Sequence, residues 1–261
     1  PINRVKLHTD FVGPIQSGLC KMLVIGLGNH KGCSAVHEEA PEVFADAIEE
    51  TARLILQKAP VGFGIAILEN AYDKTYDVEA VPAEHLVERE KELVQIAKGN
   101  MPYIMLDEAD VIICGAIGKD ISGAGFDPNI LGRSSVLKQF VLHIPRYQRL
   151  VLCDVTPASH GNGIGVGLFD VITKKVAEQL DLESMYANAI ACNCLGDASV
   201  PCTVDDEETA IRVALKCCRN IDRDHPRIIR IQNTLHLGEI EVSEALLDAV
   251  RADSRMSLIE N

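Results

Sequence analysis

The stretch from Asn3 to His37 gathers the residue types that could do chemistry: His8, His30 and His37 around Lys21. A deprotonated lysine is a nucleophile, and a neutral imidazole is a proton carrier or a metal ligand. Lys21 follows a turn-forming stretch, Gly13-Pro14 to Gly18, and precedes the apolar run Met22 to Ile25. That run, apolar at every position, reads as a strand buried on both faces. An ammonium at the mouth of a buried strand is costly unless it is paired, deprotonated or chemically used. Downstream, Gly26, Gly28 and Gly32 let the backbone turn or approach a ligand closely. They form G-x-G-x-x-x-G, one residue longer than the dinucleotide fingerprint. Each residue alone also has a structural reading: a hydrogen-bonded histidine, or a lysine that keeps its ammonium in water at an element's end. In combination they point to a metal site or a covalently held cofactor.

The segment VKLHTDF…SGLCKMLVIGLG…H resembles the lactate racemase superfamily that uses a nickel-pincer nucleotide, and more closely an uncharacterised, lactate-racemase-like branch of it. The resemblance extends to Ile117–Gly123 with Asp127-Pro128-Asn129, to Gly161-Asn162 and to Asn233-Thr234-Leu235-His236. It implies that Lys21 holds the pincer nucleotide through a thioamide and that His37, sixteen residues later, ligates the nickel. It implies that His8 is the acid/base group, and that Gly26 and Gly28 border the cofactor. Two features depart from the family pattern and bear on substrate and acid/base detail. His8 stands further from the lysine than in the better-known racemases. The family's G-F-S-G-G turn is replaced by Gly13-Pro14-Ile15-Gln16-Ser17-Gly18-Leu19. The partners implied are a small 2-hydroxy acid and the enzymes that build the cofactor.

The elements that must position these groups read as α/β. A helix begins at Pro41 and runs through Gln57, with Val43, Phe44, Ala47, Ile48, Leu54 and Ile55 at helical spacing. Val61 to Leu68 reads as a buried strand, and Glu69-Asn70 lies at its C-terminal end as a weak site candidate or a loop cap. Ala83 to Lys98 is a charged amphipathic helix whose charges read as a solvated face. Asp107 to Ile117 and Leu150 to Val155 read as strands, Ile164 to Leu180 as a helix, and Asp205 to Cys218 as a helix capped by Asp205 or Asp206. Arg227 to Gln232 alternates charged and apolar residues and reads as a half-exposed strand, followed by a last helix from Ser243. Strands alternating with helices imply largely parallel sheets with helices on their faces, in two lobes: residues 1–105, the rear part of a cofactor-binding domain, and 106–261, a second α/β domain. The polar, glycine-rich loop Gly118 to Arg133 follows a strand and nominates Lys119 and Arg133 as substrate-binding residues, arginine being suited to a bidentate grip on a carboxylate.

A length of 261 residues supports one large or two smaller domains with a real core. The net charge of −13 argues against broad nucleic-acid or anionic-membrane binding, which need basic surface. No apolar run approaches ~20 residues. Nine cysteines, an odd number in a large chain, favour a reduced, cytoplasmic setting, and no secretory signal is visible. The chain opens without Met on a strand, and the expectation is that a further N-terminal portion precedes it in the intact protein. The resemblance implies a racemase or epimerase of a 2-hydroxy acid that transfers a hydride at C2. The second acid/base group would lie in that preceding portion, leaving this stretch inactive alone. Two rivals stay open. One is a non-catalytic nucleotide- or phosphate-binding module cradled by Gly26, Gly28 and Gly32. The other is an iron–sulfur protein using Cys192, Cys194 and Cys202.

Overall fold

The computed structural model describes residues 1–28, 36 and 38–259, which form two compact units. The first comprises Pro1–Pro102 with Val136–Leu142; the second comprises Tyr103–Ser135 with His143–Asn261.

The first unit is built on a three-stranded sheet ordered β1 (Ile2–Arg4), β2 (Phe63–Glu69) and β3 (Thr75–Pro82). β1 runs parallel to β2, and β3 returns antiparallel. The β2–β3 turn is closed by Asn70, whose Oδ1 accepts the N–H groups of Tyr72 and Lys74 at 2.9 and 3.1 Å. Asn70 is therefore a loop cap, and Glu69 pairs with Arg4 at 3.0 Å. Strand β3 was not legible in the sequence. It is an edge strand with almost every side chain exposed, so it lacks the apolar alternation that marks a half-buried strand.

Helices α2 (Phe44–Lys58) and α3 (Leu86–Asn100) belong to the same unit. The run Met22–Ile25 is not a strand. A helix, α1 (Leu19–Lys21), continues into a π-helical turn over Met22–Gly26, closed by Leu27 N–H donating to Met22 O at 2.8 Å. A short apolar run carries no periodicity of its own, so it fits a buried strand and a buried helical turn equally. Leu19, Cys20, Leu23 and Val24 join the core with Ile15, Ile48, Ala66, Leu86 and Leu93.

The second unit carries a six-stranded sheet: β4 (Val111–Cys114), β5 (Arg149–Leu152), β6 (Val171–Thr173), β7 (Cys202–Val204), β8 (Ile228–Ile231) and β9 (Glu241–Val242). The spatial order is β7-β6-β5-β4-β8-β9, parallel throughout except β9. Its helices are α4 (Pro128–Leu131), α5 (Lys174–Gln179), α6 (Leu182–Ala191), α7 (Glu207–Lys216) and α8 (Leu247–Ala252). Asp206 caps α7 through Thr209 N–H at 2.8 Å, and Ala210 and Ala214 pack on Val111, Ile113, Val151 and Val171. The single helix expected over Ile164–Leu180 divides. The β-branched Val171-Ile172-Thr173 pair as strand β6, and Thr173 then caps α5. The fold is α/β, and no helix of the described residues is long and apolar enough to cross a membrane.

Candidate functional site

His8 and Lys21 meet although thirteen residues separate them: Lys21 Nζ lies 2.6 Å from His8 Nε2. The backbone between them explains how. After β1, Lys6 and Ser17 pair as an antiparallel bridge, with N–H···O distances of 2.9 and 3.2 Å, so residues 7–16 form a closed loop. The buried Gln16 fastens that loop from inside, accepting His8 N–H at Oε1 (2.9 Å) and donating to Gly13 O (3.2 Å). Asn3 Nδ2 donates to Gly18 O at 2.8 Å, tying β1 to the residue before α1. The His8 ring stacks on the buried Phe11, with centroids 4.3 Å apart.

The Asp10 N–H group favours one tautomer of His8. Asp10 N–H donates to His8 Nδ1 at 3.0 Å, so Nδ1 carries a lone pair. A ring with an unprotonated Nδ1 carries its proton on Nε2, and Nε2–H faces Lys21 Nζ. Nζ must then be the acceptor, which an ammonium, with three donors and no lone pair, is unable to be. In that tautomer Lys21 pairs as a neutral amine. A neutral lysine in a partly buried site is a nucleophile poised for acylation or imine formation.

The helix that carries Lys21 is capped from α3. The carboxylate of Glu90 is fully buried, and its Oε2 accepts Cys20 N–H at 2.8 Å. The other oxygen, Oε1, has no hydrogen-bond partner among the described residues. Burial pushes the Glu90 carboxyl up to about 7, only partly offset by the N–H and thiol of Cys20 and the N–H of Leu19. Burial, reinforced by the Glu90 charge, also pushes the Cys20 thiol far up, so it stays protonated. Gly18 leaves room for this carboxylate: a Cβ at that position would lie 2.5 Å from Glu90 Oε1.

Gly26 closes the π-helical turn and Gly28 lies in the turn after it. A dinucleotide fingerprint instead follows a strand and opens a helix. Here Gly26 ends a helical turn, and the residues after Gly28 that would complete such a loop lie outside the described residues. His37, the expected nickel ligand, lies outside the described residues, as do His30 and Gly32. Among the described residues no group of three His, Cys, Asp or Glu side chains is arranged to hold a metal ion, and the described cysteines are free thiols.

In the second unit, Lys119 Nζ donates to Gly123 O and to Asn188 Oδ1, both at 2.6 Å, bracing the Gly118–Arg133 loop against α6. Arg133 does grip a carboxylate, but it is Asp170, at 2.6 Å; its other contacts are Leu168 O, Gln148 O and the Tyr147 ring. Its fork is thereby committed to holding the loop. Asn233 Oδ1 accepts Leu235 N–H and His236 N–H, both at 2.9 Å, and faces His236 Nδ1 at 3.0 Å. An oxygen that accepts twice requires a donor at Nδ1, so neutral His236 keeps its lone pair on Nε2.

Sequence reasoning missed Glu90, Asp10 and Gln16. For Glu90 a signal existed: Leu86, Val87, Leu93, Val94 and Ala97 make the apolar stripe of α3, and Glu90 sits within it. Reading all the helix's charges as a solvated face was wrong for that one residue. Nothing in the sequence distinguishes Asp10 or Gln16. Compared with family models, with curated proteins and with solved structures, the chain finds no match in any of the three.

Proposed function

We propose that this chain carries the cofactor-attachment part of a nickel-pincer-dependent racemase or epimerase acting on a small 2-hydroxy acid. The observation that carries the reading is the amine of Lys21 lying 2.6 Å from Nε2 of His8, a ring whose Nδ1 accepts Asp10 N–H. A lysine that must form an acyl-type bond needs its lone pair, and this pairing keeps it. The attachment half of the cofactor therefore fits the residues present. The nickel half is assigned to His37, through a neutral imidazole nitrogen, a ligand that nickel accepts well. The chemistry such a group supplies when bound is reversible acceptance of the hydrogen at C2 of the hydroxy acid.

The chain's own residues have two tasks. Joined to the cofactor through a thioamide, Lys21 Nζ would carry an N–H and no available lone pair, and would be a donor instead of an acceptor. His8 must then offer Nε2 as an acceptor, which moves the ring proton to Nδ1 and gives up the bond from Asp10 N–H. Once the substrate hydroxyl replaces the Lys21 N–H at Nε2, that tautomer would serve as the general base that takes the hydroxyl proton and returns it. Acylation of Lys21 would therefore switch His8 from donor to base.

The test is intact-protein mass spectrometry with nickel quantification after co-expression with the enzymes that build the pincer nucleotide. The expected result is an adduct of a modified nicotinate mononucleotide, mapped to Lys21 and lost in Lys21→Ala. An unmodified mass without nickel, in cells that load a control racemase, overturns the reading.

A further inference from the structure

Glu90 stands in an unusual position: a carboxylate with no exposed surface, inside the apolar stripe of α3. One oxygen is bonded to Cys20 N–H and the other is unpartnered among the described residues. Such a group costs stability, because an unsatisfied buried polar atom loses its solvation without compensation. The core around it makes no use of the charge. Its surroundings are Gly18, Leu19 and Cys20, the residues leading directly to Lys21. Met22 N–H donates to Gly18 O at 3.0 Å, so the turn that Glu90 pins is the one carrying the amine.

We propose that Glu90 is the positioning residue for Lys21: by capping the Gly18–Met22 turn from α3 it fixes the direction in which the amine is presented to His8. The inference deepens the reading of Lys21 as the functional amine and rests on it. Glu90 touches neither Nζ nor His8 and acts only through the helix it caps. The ionised carboxylate makes the stronger cap, since a charge-assisted bond to N–H is roughly twice as strong as a neutral one. The titratable groups around it are few. The Cys20 thiol faces it from α1, and Glu49 and Arg53 of α2 reach that thiol electrostatically. The buried side of β2 offers only Gly64, Ala66 and Leu68. On α3 itself, Arg89 and Lys91 are paired with Glu79 and Glu49.

The experiment is reductive methylation of the full chain with formaldehyde and cyanoborohydride, which labels neutral amines. Labelling at Lys21 is quantified by peptide mass spectrometry against the exposed Lys58 in the same sample, and melting is followed by circular dichroism. The wild-type Lys21/Lys58 ratio, divided by the same ratio in Glu90→Gln at each pH, should rise through about pH 7, as Glu90 ionises. Glu90→Gln keeps the acceptor and should keep Lys21 reactive while losing that inflection. Glu90→Ala leaves Cys20 N–H unpaired and should lower the ratio about tenfold, the scale of a slightly misplaced reacting group. A folded Glu90→Ala with the wild-type ratio overturns the proposal. If Glu90→Ala does not fold, a wild-type pH profile in Glu90→Gln overturns it. A missing adduct in the co-expression experiment sinks the racemase reading and leaves this labelling result intact. A wild-type ratio in folded Glu90→Ala sinks the positioning role whether or not the adduct forms.

Discussion

At the scale of residues, one backbone N–H decides the chemistry. Asp10 N–H at His8 Nδ1 favours the tautomer with its proton on Nε2, in which the lone pair stays on Lys21. Two outcomes follow. In a nitrogen-15 spectrum, His8 should show an unprotonated Nδ1 and a protonated Nε2; the reverse pattern would remove the argument for a neutral amine. Replacing His8→Phe should preserve the stack on Phe11 and delete the group facing Lys21 together with the acceptor of Asp10 N–H. The lost hydrogen bond, about 1 kcal/mol, corresponds to roughly a fivefold fall in the Lys21/Lys58 methylation ratio. An unchanged ratio would mean that His8 does not hold the amine neutral. The pairing of a histidine and a lysine was legible in the sequence as residue types, but the protonation state was not. It depends on Asp10 and Gln16, whose roles arise from the loop that the Lys6–Ser17 bridge closes. The opposite happened at Arg133, where the residue type suggested an anion site and the tertiary contact, Asp170, supplied the anion.

At the scale of elements, the decisive contact is between the start of α1 and the buried stripe of α3. Gly18 permits it, since a Cβ there would lie 2.5 and 2.6 Å from Glu90 Oε1 and Cδ. Gly18→Ala must push the carboxylate away and should destabilise the protein by about 1–3 kcal/mol, the usual range for overpacking. Gly99→Ala is the contrasting case, in the same unit near the end of α3, where an added Cβ meets nothing within 4 Å. It should stabilise by roughly 0.5–1 kcal/mol through helix propensity alone. Urea unfolding of both variants checks the pair, and a neutral Gly18→Ala would show that Glu90 has room to spare. The long helices and β2 were legible because their apolar spacing extends over many residues. The turn after Lys21 was not: its apolar residues are too few to show a period, and its helical state depends on Asn3, Gly18 and Glu90 around it.

At the scale of the whole molecule, each unit carries its own buried cluster, and the pH dependence that Glu90 introduces belongs to the first. The sign follows from the direction of the shift. Burial raises the folded-state carboxyl from 4.5 to about 7, so folding favours the protonated form. The stability this contributes is complete below about pH 4.5 and is lost as pH rises through about 7, by about 3 kcal/mol at 1.36 kcal/mol per pKa unit. Glu90→Gln has no proton to lose. Its stability relative to the wild type should therefore grow by about that amount between acidic and mildly alkaline pH. Segment-resolved hydrogen exchange should place the growing difference in peptides of α1, α2, α3 and β2, and not in those of β4, β5 and β8. Equal protection changes in both sets would mean that the ionisation is not local to the first unit. A flat difference across pH would mean that Glu90 is not desolvated as its burial requires. The direction matters for function as well. The same ionisation that weakens the fold strengthens the cap that presents Lys21, so a carboxylate costing stability at neutral pH is retained where the amine needs it.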